Sequence, residues 1–564
     1  MVILQQAFAS HQAGNLPEAI GLYQKFLEQN TDHAEAWHLL GVACMQMGNM
    51  AGALEALGYA TRLDGTNAGY LNNLGLAQFY SNDASAARES YELALALAPQ
   101  SPDTLNNLGM TLQQMGAIEE AVNKFEAALA ITPEDPETLH NYGIALRDLG
   151  QLGKAGGVLK KCNDISGGIP DTFAALASIQ YTFDEFDNAV QSCWSGVRID
   201  PTHYDCHRTF KGLMKAMLRD DEQYDTMKWA IEAAPDHPLV YQNYGRELAQ
   251  DTAYAEAEPI LKRALELDPG LPVAWSALGW ALSHLNRHEE AISAYERALD
   301  LIPGDAEVLD NYGQCLIRAG RPADAVQVLQ NAHKINPRRS GILGSMTIAM
   351  VEADDDAVDR FVDYENDVVA RALPTPSGYA DMDAFNEALH AELEKQHEQG
   401  SLPLDQTMRG GTQIPDNLFK APSGAVLEIK NLITDAVHEF IDGLKADPDH
   451  PFLRYINRDF QFAGAWSTIL YGAGYDASHI HNEGWLSGVY YVKVPDLPEE
   501  SWESGEGCIQ FGAPPEEFVS AKNRTKRLIR PQQGLMVLFP SYVWHGVQPF
   551  TQEGLRHSIA FDII

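Results

Sequence analysis

Basic residues are scarce in this chain. Its 564 residues hold 40 Lys and Arg against 78 Asp and Glu, a formal net charge of −38. A surface of that sign repels phosphate backbones and anionic lipid, so neither nucleic acid nor a membrane surface is expected as a partner. Cysteine is also sparse. Cys44, Cys162, Cys193, Cys206, Cys315 and Cys508 are scattered and form no C-x-x-C pair. They read as reduced packing residues of a cytoplasmic protein, Cys508 included despite its place near an Ile-Gln-Phe strand. No apolar run is long enough to suggest a membrane-spanning helix. The opening MVILQQAFASHQAGN has no basic start and no long apolar core, so no signal peptide is expected.

What the first part does contain is a period of 34 residues. Ala19, Ala53, Ala87, Ala121, Ala155 and Ala189 share one register, and Ala257, Ala291 and Ala325 continue it. Gln223 alone breaks it. Gly14, Gly48, Gly116, Gly150 and Gly320 mark a turn inside the unit, with Asn82, Asp184 and Asn286 in the same role. Prolines such as Pro99, Pro133 and Pro269 mark the unit's end. Small residues let two helices approach closely, a left-handed Gly or Asn closes the first helix, and proline stops the second. The pattern resembles tetratricopeptide repeats, about ten of them, over residues 1–351. Ala177 and Lys211 replace Gly, and Gln223 replaces Ala, so irregularity is expected between 150 and 250. Such units stack into an all-α superhelix with a groove, expected to take a protein or peptide.

Residues 352–450 read as a helical connector leading into the second domain. Met382 to Gln399 and Val426 to Leu444 have helical apolar spacing, and the stretch from Arg409 to Gln413 reads as a loop. From 451 to 564, short β-rich segments separated by turns suit an antiparallel jelly roll.

Two imidazoles, His479 and His481, stand just before one of those segments. In an extended strand, residues i and i+2 leave the same face, so His479 with His481, or His481 with Glu483, can address one ion. His545 offers a distant third ligand, and Arg556 follows eleven residues later. Two close ligands, one distant ligand and a downstream cation suit a facial iron site with open positions and an anchor for an acidic co-substrate.

The ordered set H-x-H, Leu486-Ser487-Gly488-Val489-Tyr490-Tyr491, Gly534 to Pro540, His545 to Pro549 and Arg556-x-Ser558 resembles a bacterial family of iron(II)/2-oxoglutarate-dependent oxygenases. The likeness covers about the last third of the chain. It implies a double-stranded β-helix with bracing helices, and Fe(II), 2-oxoglutarate and O2 as cofactor and co-substrates. It implies His479, His481 and His545 as metal ligands, with Glu483 the alternative, since the wider superfamily uses H-x-D/E. It also implies Arg556, Ser558 and Tyr471 around the co-substrate. A three-histidine site carries less negative charge than one with a carboxylate ligand, so the bound acid is expected to supply the balance. No catalytic residue beyond the metal centre is expected. The implied reaction is hydroxylation of a protein or peptide side chain. A small-molecule oxygenase whose repeats serve assembly, or a repeat scaffold without turnover, are the alternatives.

Overall fold

The computed structural model describes residues 2–397, 408–414, 417–482, 484–520, 522, 524–552 and 554–564, apart from the side chains of 408, 409 and 473. It forms two compact units, Met1–Tyr244 and Gly245–Ile564.

In the first unit, helices pair along the chain from Val2–Gln12 onward. The expected left-handed turns are present at Gly14, Gly48, Gly116 and Gly150, and at Asn82 and Asp184. The close approach within each pair is severe enough to require glycine. A Cβ on Gly143 would come to 2.4 Å from Leu159, and one on Gly109 to 2.6 Å from Phe125. Side-chain caps start several helices; Asp135, for example, accepts from the Thr138 amide. The irregularity expected around Gln223 is local. A 3-10 turn at Asp220–Glu222 precedes a nine-residue helix, Asp225–Ala233, where the neighbouring Phe186–Ile199 has 14 residues.

The second unit opens with further repeats and ends them with helix Ser340–Glu352. That helix is buried at every position from Ile342 to Met350. A helix apolar all round needs cover on every side. The preceding helices cover part of it, and residues of the β-domain's loops reach it as well. Trp544 Nε1 donates to the Gly344 carbonyl at 3.0 Å, and Ser340 Oγ donates to the Gly484 carbonyl at 3.0 Å. Ile480 fills the space beside Gly344, where a Cβ would meet its Cδ1 at 2.9 Å.

The strands are β1 Val369–Ala372, β2 Met408–Ile414, β3 Phe462–His479, β4 Leu486–Lys493, β5 Ile509–Phe511, β6 Arg527–Ile529, β7 Leu535–Pro540, β8 His545–Val547 and β9 Leu555–Ile563. Their order is β1-β7-β4-β9-β3-β8-β5-β6, all antiparallel, with β2 also paired to β3. The long β3 holds the arrangement together. Its first part pairs with β9, from Phe462↔Ile563 to Tyr471↔Leu555, and its end pairs with β8 through His479↔His545. One strand thus serves two layers, as in a jelly roll.

Helix Met382–His397 buries Phe385, Leu389 and Leu393 and packs on β4, and helix Gly424–Gly443 packs on it in turn. The stretch Arg409 to Gln413, read from sequence as a loop, is instead part of β2. Gly410 takes φ +71°, and the register shifts between Arg409 and Gly411. The two glycines mark a β-bulge inside a strand rather than its end. Among the described residues, no helix is long and apolar enough to cross a membrane.

Candidate metal centre

Period-two alternation sorts the β-domain's side chains onto two faces. On β3, Trp466, Thr468 and Leu470 line a cavity of about 50 Å³. On β9, Arg556, Ser558 and Ala560 line it from the neighbouring strand. Asp476, His479, His481 and His545 close one end, and Val489, Ile509, Phe539 and Val547 supply apolar walls.

The three histidines come together. Their ligand nitrogens all lie within 4.8 Å of one another, and they are a group that could hold a metal ion. Ring centroids are 4.4 Å apart for His479–His545, 5.0 Å for His481–His545 and 5.1 Å for His479–His481. Each Nδ1 faces an oxygen: Ala477 O at 2.8 Å for His479, Val543 O at 2.9 Å for His545, and the Asp562 carboxylate for His481. A backbone carbonyl only accepts, so Nδ1 of His479 and His545 carries the proton and Nε2 keeps its lone pair. The Asp562 carboxylate selects the same tautomer at His481. With His481 in its neutral form, its Nε2 faces that of His479 at 3.2 Å with no proton between them. Two facing lone pairs repel, and a cation between them removes the repulsion. The donor set therefore fits a metal ion.

Electrostatics agree. Burial lowers the His545 pKa well below the ordinary histidine value, and its two histidine neighbours lower it further. Burial also lowers His479, with Asp476 acting in the opposite sense. Neutral imidazole is the ligating form.

Arg556 is 2% exposed. Its guanidinium carbon stands 4.9 Å over the Tyr491 ring, and Nη1 donates to Ser558 Oγ at 3.3 Å. Its Nε is buried with no hydrogen-bond partner, and Arg556 forms no ion pair among the described residues. The Tyr491 hydroxyl is likewise buried and unpartnered. A buried guanidinium without a counter-anion is costly, so a carboxylate between Arg556 and the imidazoles fits an otherwise unmet demand.

Tyr471 does not belong to this site. It is 47% exposed and lies outside the cavity lining. Strand parity is the reason: residues 466, 468 and 470 face inward, so 471 faces outward. The aromatic beside Arg556 is Tyr491, while Tyr490 turns to the opposite face and donates to Asn386 Oδ1 at 2.7 Å. Glu483 lies outside the described residues. Cys508 is a buried core residue packed with Leu470, Trp502 and Phe550. Asp562 is the residue missed by sequence reading. It shares the parity of Arg556, Ser558 and Ala560, and that alternation was the available signal.

Comparison with known proteins agrees with this architecture. Residues 464–562 match the family model described as "Putative 2OG-Fe(II) oxygenase". Two models described as "Tetratricopeptide repeat" match residues 10–71, 248–310 and 285–342, and residues 45–102 and 72–136. The chain therefore carries tetratricopeptide repeats and a C-terminal domain of the 2OG-Fe(II) oxygenase kind. No curated protein matches it. Among solved structures, MamA protein is 25% identical over 29% of this chain and 91% of its own, with a TM-score of 0.28. Yeast Tom70 is 12% identical over 64% of this chain and 96% of its own, with a TM-score of 0.38. YrrB, titled as a TPR protein with an unusual peptide-binding site, is 19% identical over 33% of this chain and 95% of its own, at 0.28. With TM-scores below 0.5, none of these carries the functional reading.

Proposed function

We propose that the protein is an iron(II)- and 2-oxoglutarate-dependent oxygenase that hydroxylates a side chain of a protein or peptide gathered by its repeats. For this reading the chain divides into repeats at 1–351, a connector with the first oxygenase elements at 352–450, and the core at 451–564. His479, His481 and His545 would hold the metal through Nε2. Arg556 and Ser558, with Tyr491 in the place first expected of Tyr471, would hold the distal carboxylate of the keto acid. The observation that carries the reading is the pairing of three convergent imidazoles with an unpaired buried guanidinium on the same face.

Iron(II) with 2-oxoglutarate and dioxygen supplies oxidative decarboxylation to succinate and oxygen insertion into a C–H bond. The chain's own work is binding, orientation and exclusion of water. Burial favours the neutral, ligating form of His479 and His545. Arg556 presents a planar fork that fixes the acid's far end. Phe539, Val489 and Ile509 keep the cavity walls dry.

The small size of the cavity, about 50 Å³, is the one observation favouring a second reading, a small-molecule oxygenase whose repeats serve assembly. The six cysteines are free and buried, which suits the cytoplasm. The test is anaerobic binding of iron(II) and 2-oxoglutarate followed by succinate release in air, for the wild type, His545→Ala and Arg556→Ala. Equal succinate release from all three would remove the oxygenase reading. Stimulation by peptides but not by metabolites selects the first substrate class, and the reverse selects the second.

A further inference from the structure

The proposed ligand set is all imidazole, yet a carboxylate stands directly behind it. Asp562 ends the inward-facing row of β9, and its Oδ1 pairs with His481 Nδ1. The pair is largely buried, with side-chain exposures of 10% for His481 and 15% for Asp562. The carboxylate is itself held. Ser487 Oγ donates to Asp562 Oδ1 at 2.6 Å and lies 2.8 Å from Ser541 Oγ. Ser487 belongs to β4 and Ser541 follows β7, so three neighbouring strands position one oxygen. Behind its Nδ1, His545 has only the Val543 carbonyl, and His479 has the Ala477 carbonyl at 2.8 Å with Asp476 Oδ1 further off at 3.8 Å. The three rings therefore differ, and of the three only His481 has a carboxylate in hydrogen-bond contact with its Nδ1.

On the metal reading above, we infer that Asp562 is the carboxylate of this centre, acting through His481 rather than on the metal. It holds His481 as the Nδ1–H tautomer with Nε2 facing inward. It also makes that ring a more basic, partly anionic donor. A facial site of two histidines and one carboxylate brings one negative charge directly to the metal. Here that charge sits one ring further out. The bound keto acid then need not supply the whole balance, which the ligand set alone would demand. Asp562 is thus a positioning residue, and its effect is on metal affinity.

The experiment uses the full-length protein and Co(II), a redox-stable spectroscopic probe. Asp562→Asn keeps the size and one oxygen acceptor but removes the charge. Apo wild type, Asp562→Asn, Asp562→Ser and His545→Ala are first compared by thermal melting, then titrated anaerobically with Co(II) while the d–d bands are recorded. The expected result is Co(II) binding at least about tenfold weaker in both Asp562 variants, with altered d–d bands and a cooperative melt. Wild-type affinity and spectrum in Asp562→Asn would overturn the inference while leaving the metal site standing. Failure of the wild type to bind more tightly than His545→Ala would instead remove the metal site itself. A crystal structure of the Co(II)-loaded wild type decides independently of any variant's folding. Ligation through His481 Nε2 with Asp562 on Nδ1 supports the inference, and ligation through Nδ1 overturns it.

Discussion

The β-domain holds two trios of histidine on opposite faces of its sheet, and they are built on different principles. On one face, His479, His481 and His545 each use Nδ1 for an oxygen and leave Nε2 with no other purpose than the shared centre. On the other, His390, His397 and His557 use their nitrogens on one another and on hydroxyls. His390 Nδ1 meets His557 Nδ1 at 2.8 Å, and His557 Nε2 meets Ser467 Oγ at 2.7 Å. His397 Nε2 meets the same Oγ at 2.8 Å, and its Nδ1 meets Thr412 Oγ1 at 3.0 Å. That chain runs from His390, whose Nε2 lies 3.8 Å from Glu394, to Thr412, and joins helix Met382–His397 to β2, β3 and β9. Proximity of imidazoles therefore does not identify a ligand set. What identifies it is nitrogen left over once local hydrogen bonds are counted.

The comparison breaks most visibly under alanine. His545→Ala should weaken Co(II) binding by more than about 100-fold and abolish succinate release, since one of three proposed ligands is gone. His397→Ala, on the other face, should leave Co(II) affinity within about twofold. It should instead cost about 1–3 kcal/mol in chemical denaturation, because Ser467 and Thr412 lose a buried partner. Equal loss of metal from both variants would erase the distinction.

Arg556→Ala comes next. It should weaken 2-oxoglutarate binding by about 100-fold, or about 2.7 kcal/mol, as read by calorimetry on the Co(II) form. Apo Arg556→Ala should melt no lower than the wild type, because the guanidinium has no counter-anion to lose.

The pH dependence probes the back face more gently, through the change that one substitution there makes. Burial lowers His397 from 6.5 to about 4 and lowers His390 and His557 as well. A histidine whose folded pKa is depressed contributes stability that is fully present above its unfolded pKa. That contribution is lost as pH falls from about 6.5 towards the folded values. Apo-protein melting temperature should therefore fall between pH 7 and pH 4, and His397→Phe should flatten part of that slope.

The smallest effects concern the tyrosines. Tyr471→Ala should leave 2-oxoglutarate affinity within about twofold, whereas Tyr491→Phe should reduce it by about threefold to tenfold through loss of one hydroxyl. The opposite ranking in the same calorimetric titration would return Tyr471 to the site.

The repeats were legible in sequence because their geometry is local and periodic. Gly109 and Gly143 face large side chains sixteen positions later, Phe125 and Leu159, and the same spacing recurs along the array. That His479, His481, His545, Arg556 and Ser558 line one cavity agrees with their order along the chain, which is what suggested grouping them. Tyr471 was expected beside the co-substrate from the family resemblance alone, and strand parity turns it outward, where it is 47% exposed. β2 was hidden because two adjacent glycines read as a loop, although a bulge uses them equally well. Asp562 was hidden because a carboxylate behind a ligand has no spacing rule of its own. The back-face trio draws on residues as far apart as His390 and His557, which only the fold brings together.

The seating of helix Ser340–Glu352 constrains how such a protein can be taken apart. The same helix receives Trp544, beside His545, and Ile480, between His479 and His481. A fragment beginning at residue 353 would strip the indole of its acceptor and leave Ile480 bare to water, loosening both ligand-bearing segments at once. A transplantable oxygenase cassette must begin before Ser340, so the final repeat belongs genetically to the array and mechanically to the enzyme.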